Sequence, residues 1–254
     1  MGMIKDWQSL TLHAGSHAPN SEMCLIEAVT WFADEPWSDH PQCVSPVLAA
    51  FGMHWNDDMR SNEEREQLKQ YIPLLVGTIA PDLETFRSWM ALDWMCRVYT
   101  PAWLDLAGLK EHARQLRASD AFTGGSRVKK ITPQLRAAGH AVGFPIEDAV
   151  EFAVEDADGN AVWAAGGAAA GAAARAAAGA AAGAAARFAA WDASWDDARV
   201  AAWDAAWNAA WTAATAAAVA GSALEPTVRE LQESAHGLFR SMIALSGTKG
   251  RLLC

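Results

Sequence analysis

From Trp163 to Trp211 the chain repeats every four residues. Steps of four give Trp163, Gly167, Gly171, Arg175, Gly179, Gly183, Arg187, Trp191, Trp195, Arg199, Trp203, Trp207 and Trp211, and the two positions before each step are almost always Ala. Residues 161–220 hold 34 alanines in 60 positions and six of the chain's 13 tryptophans. Alanine has the best helix propensity, so helix is the default. Unbroken, 163–211 would span roughly 70 Å. A period of four exceeds 3.6, so each tetrad carries its marked residue about 40° further round the axis, in the right-handed sense. The segment is therefore expected either to be wrapped by its partner or to break near its glycines.

The two halves of the repeat differ. The first is smooth, built from Gly and Ala with Arg175 and Arg187; the second carries five tryptophans with Asp192, Asp196, Asp197 and Asp204. Folding the repeat antiparallel about Arg187 sets Gly167 against Trp207, Gly171 against Trp203, Gly179 against Trp195 and Gly183 against Trp191. Arg175 then lies beside Asp196 and Asp197. The expectation is that the halves pack antiparallel, between two chains or, with a break near 187, within one. The interface residues would be Gly167, Gly171, Gly179, Gly183, Trp191, Trp195, Trp203, Trp207 and Trp211. Each indole seated in a glycine hollow buries ~150–250 Å². Two other readings stay open: an insert grown by replication slippage that merely caps a bundle, and a silk-like β arrangement, since four is commensurate with the strand period of two.

The rest of the chain also reads as helical. Residues 1–20 form an arm with two histidines, His13 and His17. Apolar residues at helical spacing run from Met23 to Phe32, until Pro36 and Pro41 break the pattern. Ser45-Pro46 restarts a helix as N-cap and first residue, and that helix frays at Asn56-Asp57-Asp58. Ser61 and Glu64 have capping-box spacing, with Pro73 and Gly77 closing the helix they open. Pro81 starts another, to about Tyr99. Thr100-Pro101 repeats the cap-plus-proline signal and predicts a fresh start there. Five short helices thus fit between 21 and 118. Residues 119–160 read as a connector with a short helix near 132–138 and another at about 146–157, and a last helix spans 225–245. The expected organisation is an arm (1–20), a helical bundle (21–118), the connector (119–160), the tetrad segment (161–222) and the C-terminal helix (225–245) packing back. The fold class is all-α.

Twenty basic residues against 30 acidic ones give a formal charge of -10. That argues against a generic nucleic-acid binder; the one basic spot, Arg127, Lys129, Lys130 and Arg136, is small. Four scattered cysteines (Cys24, Cys43, Cys96 and Cys254) suit a reducing compartment, and no signal-peptide core opens the chain. An Arg at mid-membrane depth costs at least ~2.5 kcal/mol, so Arg175 and Arg187 argue against a membrane span in the Ala-rich stretch. The expectation is a cytoplasmic protein with no membrane partner.

The best candidate for chemistry is the loop Pro36-Trp37-Ser38-Asp39-His40-Pro41, where two prolines stiffen a carboxylate beside an imidazole. Glu27 precedes it and His54 follows. Glu27, Asp39, His40 and His54 together would suit a divalent metal. The competing reading is structural: Asp39 caps a turn, His40 and Trp37 pack the corner, and Glu27 accepts loop amides. No phosphate-binding, dinucleotide or nucleophile-elbow motif is present. Cys24, Cys43 and Cys96 sit in apolar settings that favour inert thiols.

Met23-Cys24-Leu25-Ile26-Glu27-Ala28-Val29, Ser38-Asp39-His40-Pro41 with Cys43-Val44-Ser45-Pro46-Val47-Leu48, Tyr99-Thr100-Pro101-Ala102-Trp103-Leu104, the tetrads and the run from Pro226 to Ala235 resemble a family of helical proteins of bacteria and their phages. Its members carry Ala-rich tails of the Ala-Ala-Arg-Asp and Ala-Ala-Trp-Asp kind. The resemblance covers roughly 21–110 and 161–245. This chain departs from the pattern in 164–186, where Gly stands in place of Arg-Asp pairs. The resemblance implies a soluble protein in a phage or prophage context; it brings no activity and no catalytic residue. The leading expectation is a non-enzymatic scaffold or interaction protein. Its tetrad segment would drive self-association or dock a protein partner, with no cofactor. One alternative is a small metal-dependent hydrolase built on Glu27, Asp39, His40 and His54. Another is an acidic phage decoy exposing Asp192, Asp196, Asp197 and Asp204.

Overall fold

The computed structural model describes residues 5–19, 21–59, 61–106, 108–122, 130–131, 133–134, 137–138 and 225–247. The tetrad segment, with every interface residue named above, and the helix expected at 146–157 lie outside them. The described residues are all-α. They contain no strand, and one isolated parallel bridge joins Leu12 to Met23.

Helix α1 (Leu25–Phe32) starts two residues later than the apolar spacing suggests. Met23 is held extended by that bridge, His13 N–H donating to its carbonyl at 3.0 Å. Six consecutive residues of α1, Leu25 to Thr30, are buried. A helix buried on every side is the centre of a fold, and α1 packs between α2 (Pro46–Asp58) and α4 (Ile72–Leu75). The Ser45 hydroxyl caps α2 by accepting from Leu48 N–H at 3.3 Å. No glycine ends α2. Instead Arg65, on the short α3 (Asn62–Arg65), turns its buried guanidinium onto the last carbonyls: Asn56 at 2.8 Å, Met59 at 2.6 Å and Asp57 at 3.3 Å. These are the orphan acceptors a basic side chain serves best. The close approach of α1, α2 and the C-terminal helix depends on Gly52, where a Cβ would come within 3.1 Å of Leu25 Cδ2 and 3.4 Å of Phe239 Cζ.

Two prolines act differently from the sequence expectation. Pro73 closes nothing. Residues Glu66–Tyr71 form a 3-10 stretch, and Pro73 sits in the first turn of α4, where a missing N–H costs little. Thr100 is no cap either. α5 (Pro81–Trp94) runs through a π turn (Met95–Tyr99) straight into α6 (Thr100–Leu106), with Thr100 in helical conformation. The Thr100 N–H reaches back five residues to the Met95 carbonyl. A π turn widens the helix by one residue, which makes room for the ring of Pro101. The run ends instead at Gly108, whose φ of 79° suits glycine. Leu109 N–H donates to Leu104 O at 2.8 Å and Gly108 N–H to Asp105 O at 3.1 Å, a Schellman ending. α7 (Lys110–Ala118) follows. Among the described residues five helical runs do lie between 21 and 118, but the last break falls at Gly108 and Leu109, eight residues beyond Thr100, where it was expected.

The C-terminal helix α8 (Glu225–Gly247) completes the core. Its buried stripe of Val228, Leu231, Ala235, Phe239, Met242 and Ser246 advances in steps of three and four and lies on α5, α2 and α6. Phe239 stacks on Phe51 at 5.3 Å between centroids and meets the Tyr71 ring edge-on at 4.8 Å. His236 lies 4.6 Å from Trp55. Its Nε2 faces Gln67 Oε1 at 2.7 Å and its Nδ1 the Tyr71 hydroxyl at 2.6 Å, partners that suit a neutral ring donating to the amide oxygen and accepting from the hydroxyl. A second, polar clamp sits near the other end of α8. Arg87, fully buried, pairs with Glu84 Oε1 at 2.6 Å, donates to Met242 O at 3.2 Å and bonds the Ser246 hydroxyl. The other Glu84 oxygen accepts from Ser45 at 2.5 Å.

Removing Arg87 strands the Glu84 carboxylate in a dry site. Arg87→Ala is expected to cost about 3–5 kcal/mol in urea unfolding, and Arg87→Met with Glu84→Met less than that. Burial, with the Arg240 charge second, lowers the pKa of His236 to about 4 from 6.5. The unfolded chain then binds a proton below pH 6.5 that the folded chain refuses until pH 4. Stability should fall as pH drops through that window, by up to about 3 kcal/mol. Subtracting the pH profile of His236→Asn from that of the wild type isolates this slope; equal profiles would refute it.

Candidate functional site

The loop singled out by its prolines is rigid, for reasons its sequence shows only in part. Asp34 takes φ 60° as the chain leaves α1. The Glu35 carboxylate then folds the loop back on itself, accepting Gln42 N–H at 2.7 Å and Cys43 N–H at 2.9 Å. The Thr30 hydroxyl donates to Ser38 O at 2.6 Å, and the Trp37 indole N–H to His17 O at 3.0 Å. His40 Nδ1 meets the carboxylate of Asp39. This pair lines a cleft of about 190 Å³ together with Pro41, Gln42 and the apolar side chains of Val44, Ala50, Met53 and Ile79. The cleft offers an Asp–His pair beside apolar side chains. A general base is available there, but no lining residue carries a hydroxyl or thiol nucleophile.

Glu27 is elsewhere. Its carboxylate is 1% exposed and accepts backbone N–H groups from His17 at 2.7 Å and Cys24 at 2.8 Å, and it bonds His17 Nδ1 at 2.8 Å. It is thus both an N-terminal box for α1 and the fastening of the arm. The metal set expected from sequence is not assembled: Asp39 and His40 are neighbours at the cleft, Glu27 is spent on the arm, and His54 lies half-buried on α2. Among the described residues no group of three His, Cys, Asp or Glu side chains could hold a metal ion. Glu27 does accept amides, as the structural reading expects, but they belong to the arm and to the N-cap of its own helix and not to the 36–41 loop.

Sequence reasoning passed over His17. Its signal was available, since an imidazole in a stretch without apolar periodicity has no packing reason to be there. Cys24, Cys43 and Cys96 are buried and unbridged. Burial pushes the Cys24 thiol up to about 12 and raises that of Cys96 as well, which makes both poor nucleophiles. Asp93 and Arg97 form an ion pair at 2.9 Å, whereas Arg87 belongs to the internal clamp. Of the basic spot only Lys130 is described, and it is exposed. No described helix is long and apolar enough to cross a membrane. No family model, curated protein or solved structure matches the chain.

Glu35 accepts the two amides, of Gln42 and Cys43, that fold the loop beside the cleft. Glu35→Ala should cost about 1–3 kcal/mol and release the Gln42 and Cys43 amides to fast hydrogen exchange. Unchanged protection at those two amides would show that the loop is held by something else.

Proposed function

We propose that the protein is a non-enzymatic scaffold that self-associates, or docks a protein partner, through its tetrad segment. The observation that supports this is the seating of α8. Residues 5–122 precede the Ala-rich stretch and α8 follows it, yet Phe239 and His236 share one core with Phe51, Trp55 and Tyr71. The described residues that precede and follow 139–224 thereby belong to one helical body. Display of a long insert from a doubly anchored base suits presentation to a partner better than it suits a linker between independent units. The tetrad residues supply the recognition chemistry in this reading: indoles from one half settle against the glycines of the other, antiparallel, in a second chain or within the same one. The phage or prophage context and a cytoplasmic location belong to the same proposal, resting on the family resemblance and the sparse cysteines.

Sedimentation of the full chain at tens of micromolar tests the two-chain form. The expected result is a dimer or larger species that becomes a monomer when Trp191, Trp195, Trp203, Trp207 and Trp211 are replaced by Ala, with the thermal transition of the bundle retained. A wild-type monomer would overturn the self-associating form.

A further inference from the structure

The cleft lined by the Asp39–His40 pair is built from two fastened pieces of chain. On one side the loop before α2 is folded by the Glu35 carboxylate, and His40 N–H donates to Ser38 Oγ at 2.9 Å. On the other, the segment that carries Ile79 is tied to the start of α2. Ile79 N–H donates to Cys43 O at 3.2 Å, and Ser45 N–H donates to Thr78 Oγ1 at 3.1 Å. Val44 and Ala50 are buried, and Met53 and Ile79 are half-buried. Walls fixed in this way need little ordering to receive a ligand, which favours affinity. The volume of about 190 Å³ is below the ~300–1,000 Å³ of drug-sized pockets, so the ligand that fits is small.

The polar part of the lining selects the ligand's charge. Asp39 spends Oδ1 on His40 Nδ1, while Oδ2 meets no described residue, and the side chain is 34% exposed. The side-chain nitrogen of Gln42 makes one contact, with His40 O at 3.4 Å, and the amide oxygen beside it accepts nothing from a described residue. Glu35 adds a second negative charge to the loop, with both oxygens already taken by backbone N–H groups. None of the described lining residues is Lys or Arg. The cleft thus sets acceptors, one of them charged, beside aliphatic side chains. Its complement is a molecule with several N–H donors, a positive charge and an apolar body. An anionic ligand would meet like charge. We propose that the cleft binds a small primary amine in its ammonium form. The ammonium donates to Asp39 Oδ2 and to the Gln42 amide oxygen, and a compact apolar body, such as a single ring, lies against Val44, Ala50, Met53 and Ile79. An ammonium carries three donors and no acceptor, and its bond to a carboxylate is charge-assisted. Asp39 keeps its contact with His40, since a carboxylate accepts at both oxygens. The site is separate from the tetrad segment and does not rest on the scaffold reading.

The test is titration of benzylamine into the full chain at neutral pH, followed by NMR through the backbone amide signals of Gln42, Cys43 and Ile79. Saturable shifts with a Kd on the order of 1 mM or below are expected. Benzyl alcohol has the ring without the charge, and methylammonium the charge without the ring. Each should bind at least about tenfold more weakly. Asp39→Asn keeps the shape and removes the charge, and should weaken benzylamine by about 10–100-fold. Glu63→Gln, at an exposed position that does not line the cleft, should bind like the wild type; an equal loss there would reduce the effect to general attraction by an acidic chain and overturn the proposal. The ligand series tests the charge requirement on the wild-type chain, so it stands whether or not Asp39→Asn folds. Nα-acetyl-lysine amide carries the same ammonium on a peptide; tighter binding of it than of benzylamine would overturn the small-molecule ligand in favour of a partner's lysine. Absence of saturable shifts at about 10 mM benzylamine would also overturn the proposal, as would equal binding of benzyl alcohol or wild-type affinity in a folded Asp39→Asn.

Discussion

The burial of one face of α8 against α2 and α5 is the interaction on which the rest of the structure depends. Phe51, Trp55 and Tyr71 come from elements near one another in the chain, but the ring that closes their cluster, Phe239, comes from far downstream. Bringing α8 home closes a loop on the order of a hundred residues, at an entropic cost of about 4 kcal/mol beyond a constant. Deleting a buried Phe side chain alone typically costs about 3–5 kcal/mol. The apolar stripe therefore outweighs closure only as a whole. Val228 and Leu231 at one end and Met242 at the other are as necessary as the central ring.

Much of this fold was legible because local signals and tertiary needs agree. Ser45-Pro46, Ser61 and Pro81 all open helices, since a cap or a ring at the first position acts within one turn. The α8 stripe is plain because its spacing of three and four needs no knowledge of the partner. What failed was the reading of Pro73 as a terminator and of Thr100-Pro101 as a fresh start. Proline forbids one hydrogen bond and one close carbonyl. It does not forbid a chain that changes its winding around the ring. A 3-10 stretch precedes Pro73 and a π turn precedes Pro101, and both are consequences of packing that continue the helix through a costly residue. The delayed start of α1 has the same character, because Met23 is claimed by Leu12, whose burial no periodicity announces.

The candidate site shows where such reading runs out. Glu27 looked like a ligand because it lies near His54 and the Asp39–His40 loop in sequence. In space it turns the other way, towards His17. Carboxylates in the first turn of a helix are common as acceptors of free N–H groups, and that pull is local. Its second partner came from an irregular arm, where neither period nor cap predicts position. Asp39 and His40, by contrast, are sequence neighbours, and their contact needs no tertiary information at all.

The polar clamp has a role that the apolar stripe cannot fill. A stripe advancing by three and four nearly repeats after seven residues, so Val228, Ala235 and Met242 are interchangeable to a surface that only seeks apolar cover. Arg87 breaks that degeneracy. It needs the Met242 carbonyl and the Ser246 hydroxyl together with Glu84, and a slide of two turns would put Phe239 where Ser246 now stands. The guanidinium would then face a ring and lose a charge-assisted bond in a dry site, a loss of about 1.5–3 kcal/mol before any strain. Two registers of α8 are told apart in this way by the bonds that Arg87, held by Glu84 within α5, makes to Met242 O and the Ser246 hydroxyl. The same logic fixes where Glu225, the first residue of α8, lies along the bundle.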